Sequence, residues 1–148
     1  MGESDEKRAE FIRVQSPREK AMLVCEWTLY CYEQARTVAI HVAGRGQAEK
    51  LDKLLWSFRQ ESFLPHVIAA EADEPIIEPI RIYCADDGWG QEDVLIETAG
   101  GEPTERFRDF DHLYDFAEVY DDQLRELSRR RFKACQQAGY KMRFIDRE

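Results

Sequence analysis

Residues 37–42, Thr-Val-Ala-Ile-His-Val, form a nearly continuous apolar run. A strand with one wet face alternates apolar and polar residues. One that is apolar almost throughout suits a strand covered on both faces, as in a parallel sheet between helices. Parallel strands need long crossovers, usually helical, and helix patterns flank this run on both sides. Before it, Ser16 precedes Pro17 with Glu19 at capping-box spacing, and a wide apolar face from Met22 to Tyr30 continues to about Ala35. After it, Gly44-Arg45-Gly46 makes a turn, and Leu51, Leu54 and Leu55 then sit at helical spacing until about Phe58. Further strands are expected at 11–14, 80–84, 94–98 and 116–120, with 67–79 as a connection. A short helix is expected at 105–113 with Phe107 and Phe110 inward. A last helix runs from Asp121 or Asp122 to about Ala138, where Gly139 can end it in the left-handed conformation. The expected architecture is a three-layer α/β/α sandwich around a mostly parallel sheet of about five strands. The 148 residues suit one domain, with 1–9 and 143–148 as flexible ends and 141–148 as an open-ended tail.

Charge narrows the function. A formal net charge of -9 argues against broad contact with a phosphate backbone, so no direct nucleic-acid binding is expected. The chain carries no apolar run of membrane-spanning length and no apolar signal-peptide core, which makes no membrane partner and a cytoplasmic location the expectation. Cys25, Cys31, Cys84 and Cys135 form no Cys-x-x-Cys pair and no metal-ligand spacing, as expected of free thiols. His41, His66 and His112 lie in separate elements, as structural histidines do. The glycines at 44 and 46 lack the third glycine or the Gly-Lys-Ser/Thr of a phosphate loop. Asp86-Asp87 reads as a solvated turn, and Trp89 in the same loop has no assigned role. No catalytic residue, metal site or cofactor is expected.

Two stretches instead suggest binding. The leucines of residues 51–55 fill the core face of their helix, which leaves Trp56 and Phe63 near a helix end. Leu64, before Pro65, is pushed toward an extended conformation. The two rings either cap the edge of the core or form an exposed anchor for a partner. In the last helix Arg125, Arg129 and Lys133 recur every four residues and stack cations along one face, with Phe132 beside Arg129. That face is either a solvated basic surface or a seat for a peptide bringing carboxylates and an apolar side chain.

The first stretch, Leu-Asp-x-x-Leu-Trp followed after a spacer by Glu-Ser-Phe-Leu-Pro-His, resembles the chi subunit of bacterial DNA polymerase III. The second, from Asp122 through Lys133 to Ala138-Gly139-Tyr140, is similar to the final helix of the same family. The resemblance spans about residues 10 to 142. It implies a non-catalytic adaptor rather than an enzyme. Trp56, Phe63, Leu64 and Pro65 would contact the psi subunit, and through it the clamp loader. Arg125, Arg129, Phe132 and Lys133 would bind the acidic C-terminal tail of single-stranded DNA-binding protein, with Val119 lining the pocket. Arg129 would fork onto a carboxylate in a buried pair, and Arg125 would be the more exposed charge. Phe132 stands where some relatives carry Tyr, so any hydroxyl bond there is missing. Two alternatives stay open: a repair helicase at the aromatic site, or a small-molecule-binding α/β enzyme.

Overall fold

The computed structural model describes residues 6–59, 63–84 and 91–146. The loop with Asp86, Asp87 and Trp89 lies outside the described residues, as do Glu61 and Ser62 of the aromatic stretch. The strands are β1 (Arg8–Val14), β2 (Val38–Val42), β3 (His66–Ile68), β4 (Ile80–Cys84), β5 (Val94–Glu97), β6 (His112–Glu118) and β7 (Lys141–Ile145). The helices are α1 (Pro17–Glu33), α2 (Arg45–Ser57) and α3 (Asp122–Gln137), with short 3-10 helices at Ala69–Glu71 and Glu105–Asp109. All seven strands pair in parallel, in the order β3-β4-β2-β5-β6-β1-β7.

The apolar run is buried along its whole length as β2. Val38, Ile40 and Val42 point into a core shared with α1 and α2, whereas Ala39 points into a second core shared with α3. Connections that run toward the β3 edge therefore use one face, and those that run toward β7 use the other. This is what right-handed crossovers require when the direction of travel reverses. Ser16 caps α1 by accepting from the Glu19 amide, and Asp121 caps α3 by accepting from the Leu124 amide. Gly139, at φ 91°, ends α3 and turns the chain into β7.

Several expectations are corrected. Among the described residues the sheet has seven strands rather than about five. β3 lies inside the expected connection at 67–79, and β7 forms from the expected tail. Both are edge strands: β3 has three residues, too few to show a period, and the Met142–Phe144 alternation of largely exposed β7 is too short to stand out among its charges. β1 begins at Arg8, within the end expected to be flexible. β6 begins at His112, inside the expected helix, and ends at Glu118, so Val119 and Tyr120 belong to the turn before α3. α2 begins at Arg45, with Gly44 as its N-cap and Gly46 inside it.

The four cysteines are free thiols, three of them buried. Burial pushes the Cys25 and Cys135 thiols up to about 12 and Cys31 up to about 11. In the unfolded chain the same thiols ionise near 9.0. Between those values the unfolded state binds fewer protons than the native state, so stability declines as pH rises past about 9. Denaturant midpoints should fall from about pH 8 to about pH 10.5, and Cys25, Cys31 and Cys135 should react with a thiol reagent at about pH 8 only on unfolding. Rapid labelling of the native chain at all three would contradict their burial.

Candidate functional site

A cleft of about 400 Å³ opens over the carboxyl ends of β6, β1 and β7, on the face covered by α3. It sits where adjacent strands diverge, because β1 feeds α1 on one face and β6 feeds α3 on the other. Such a reversal leaves a crevice at the strand ends. Phe11 of β1, Phe132 of α3 and Phe144 of β7 supply apolar lining, with Ala117 from β6 and Val119 from the turn after it. Phe132 meets Phe11 edge to face, with ring centroids 5.1 Å apart, a favourable aromatic geometry. Phe144 stands beside Phe11 in register and remains 51% exposed.

Cations line the same cleft. Arg125 and Arg129 reach it from α3 and Arg13 from β1. Arg125 is half-buried and donates from Nη2 to the Val119 carbonyl at 2.8 Å. Arg129 has a side chain 70% exposed and meets Glu126 at 3.8 Å, too long for a hydrogen bond. The expected order of exposure is thus reversed, since Arg125 is the more buried of the two. The reason is local. Arg125 lies one turn into α3, close enough to close the turn at Val119, whereas Arg129 projects past that turn. Its forked donors remain available to a ligand carboxylate. Val119, Arg125, Arg129 and Phe132 come together as lining, while Lys133 is exposed and outside it. Sequence reasoning missed Phe11, Arg13, Phe144 and Asp146. The alternation Phe11-Ile12-Arg13-Val14 places Phe11 and Arg13 on one face and is the signal that could have found two of them.

Behind the cleft, α3 is fixed to the sheet by buried charge. Arg131 donates from Nε to Asp115 Oδ2 at 2.9 Å and from Nη2 to Asp115 Oδ1 at 3.2 Å. Its Nη1 donates to the Gly101 carbonyl at 2.8 Å. Arg131 Nη2 also lies 3.6 Å from Glu118, which accepts from Lys20 at 3.2 Å and from the Tyr120 hydroxyl at 2.8 Å. Burial pushes the Asp115 carboxyl up to about 6 against the pull of the Arg131 guanidinium, with the Glu97 charge adding to the rise. Gly100, at φ 78°, lets the loop approach this cluster, because a Cβ there would lie 3.2 Å from Glu118 Oε1.

The aromatic stretch lies at the other edge of the sheet. Trp56 is 50% exposed and Phe63 66% exposed, with ring centroids 5.5 Å apart. Leu51 and Leu55 take the core positions of α2, as their spacing requires. Trp56 rests on His66, at 4.4 Å between centroids. His66 Nδ1 lies 2.6 Å from the Leu64 carbonyl and Nε2 3.0 Å from Asp52 Oδ1. The ring thereby ties the extended segment to α2 and props up Trp56. Leu64, grouped with the contact residues by the sequence, is instead buried in the core, and Pro65 is half-buried. Among the described residues no group of His, Cys, Asp and Glu has the geometry to hold a metal ion, and no helix is long and apolar enough to cross a membrane.

Comparison with known proteins gives concordant matches. A family model described as DNA polymerase III chi subunit, HolC, matches residues 7–143. The DNA polymerase III subunit chi of Escherichia coli (strain K12) is 32% identical over 130 residues, covering 81% of this chain and 80% of the relative. The subunit of the same description from Pseudomonas aeruginosa PAO1 is 27% identical over 139 residues, covering 90% of this chain and 92% of the relative.

Proposed function

Because this chain belongs to the family of DNA polymerase III chi subunits, we propose that it serves the holoenzyme as a non-catalytic adaptor with two separate docking sites. The Trp56–Phe63 ledge holds the psi subunit and so the clamp loader. The cleft under α3 holds the acidic, Phe-terminated tail of single-stranded DNA-binding protein. The observation that carries this reading is the cleft itself, which sets phenylalanine walls beside Arg129, whose donors face solvent. A terminal ring fits the apolar lining, and its carboxylate meets a forked donor. A second reading, in which the ledge serves a repair helicase, shares the exposed aromatics.

The test is a titration of a labelled tail peptide into the purified chain at two salt concentrations. Arg129→Ala should weaken binding by roughly tenfold, about 1.4 kcal/mol, since its charge-assisted bonds form only with the ligand. Arg125→Ala should cost less, because part of its hydrogen bonding is already committed to Val119. Affinity should fall as salt rises. Unchanged binding in Arg129→Ala would remove the assignment, and tight binding of naked single-stranded DNA would remove the adaptor reading.

A further inference from the structure

We propose that Arg13 is a third ligand-binding arginine of the cleft, and that Asp146 of the same chain occupies it in the free protein. An acidic, Phe-ended peptide then binds by exchanging its own carboxylate for that of Asp146. This rests on the reading of the cleft as a peptide site. Arg13 Nη1 donates to Asp146 Oδ1 at 3.1 Å, and both side chains line the cleft. Arg13 lies two residues beyond Phe11 on β1, and so on the same face of the sheet. Asp146 follows Ile145, the end of β7, whose register partner is Ile12. The ion pair therefore straddles the β1–β7 seam at the carboxyl edge, next to the exposed Phe144 ring.

Charge count and exposure set the direction. Among the lining residues, Asp146 is the one carboxylate against the three guanidinium groups of Arg13, Arg125 and Arg129. Its pair with Arg13 is open to water, with side chains 38% and 49% exposed. An ion pair that open is weak and exchanges readily. A peptide carboxylate entering the cleft would face the same guanidinium with phenylalanine walls around it, where water screens the attraction less. The chain's own Phe144-Ile145-Asp146 segment presents an aromatic ring and an acid to the cleft, as the peptide would. It thus acts as a built-in competitor that lowers, by a common factor, the affinity of any ligand that needs the Arg13 guanidinium.

The experiment uses the full chain and a fluorescent peptide of several acidic residues ending in Phe, followed by anisotropy at low and moderate salt. Asp146→Asn should tighten binding and Arg13→Gln should weaken it, each by about two- to fivefold, the range of an exposed ion pair. The double variant should bind like Arg13→Gln alone, because Asp146 acts through Arg13. Thermal midpoints of all three should match the parent, which separates a binding role from a structural one. If the parent binds the peptide and Arg13→Gln binds equally well, this inference fails while the peptide site stands. If Asp146→Asn tightens binding equally with and without Arg13, Asp146 acts only as bulk negative charge and the inference fails too. If the parent does not bind the peptide at all, the peptide site and this inference fall together.

Discussion

Arg131→Ala is expected to destabilise the domain by about 3–5 kcal/mol, the cost of breaking a buried ion pair from one side. Arg131, Asp115 and Glu118 are each at most 4% exposed. Removing the guanidinium leaves two carboxylates in a site where burial already opposes ionisation of Asp115. It also removes the donor to the Gly101 carbonyl that holds the loop before β6. Chemical denaturation of the parent and of Arg131→Ala, Asp115→Ala and the double variant measures the coupling. The double variant should lose clearly less than the sum of the singles, because it strands fewer charges. Additive losses would mean that the two groups do not act as a pair. The binding consequence is separate. Arg131 holds α3 against β6, so a folded Arg131→Ala chain should also bind the acidic peptide less tightly, although Arg131 does not line the cleft.

On the proposal that the ledge holds psi, Trp56→Ala should weaken that complex by about thirtyfold, roughly 2 kcal/mol, the typical cost of truncating a central interface aromatic. Half of its surface is already exposed, so truncation opens little cavity, and the thermal transition should move only slightly. His66 and Phe63 would lose the ring they pack against. Calorimetric titration of psi into parent and variant gives the affinity, and a thermal scan gives the stability. A variant without a cooperative transition would place Trp56 in the core, and an unchanged affinity would move the psi site elsewhere.

What was legible in the sequence had local causes. The Val38–Val42 run implied a strand covered on both faces and hence a parallel sheet. Ser16, Asp121 and Gly139 marked helix ends, because capping is decided within a few residues. The leucine spacing of α2 correctly left Trp56 outward. What was hidden depended on partners far along the chain. Asp115 reads as polar in sequence, yet it is buried in β6 because Arg131 arrives sixteen residues later to receive it. β7 reads as a charged tail, because the apolar face of this edge strand is only Met142 and Phe144, set among Lys141, Arg143 and Asp146. Phe144 and Asp146 of the cleft lining were lost with it. The ranking of Arg125 and Arg129 failed for the same reason, since their exposure is set by the turn at Val119 rather than by their spacing on the helix.

The strand order places the aromatic ledge beside β3 and the cleft beside β7, at opposite edges of the sheet and on opposite faces. Six interstrand steps separate those edges, roughly 29 Å at the usual spacing. A continuous parallel sheet offers no hinge across that span, so the coupling free energy between the two sites should be near zero. The chain would then behave as a ruler and not as a relay. Occupying the ledge leaves the intrinsic affinity of the cleft unchanged and fixes where the cleft is held. On a strand of DNA coated with tail-bearing protein, the gain from tethering would come through effective concentration, set by how many tails lie within reach.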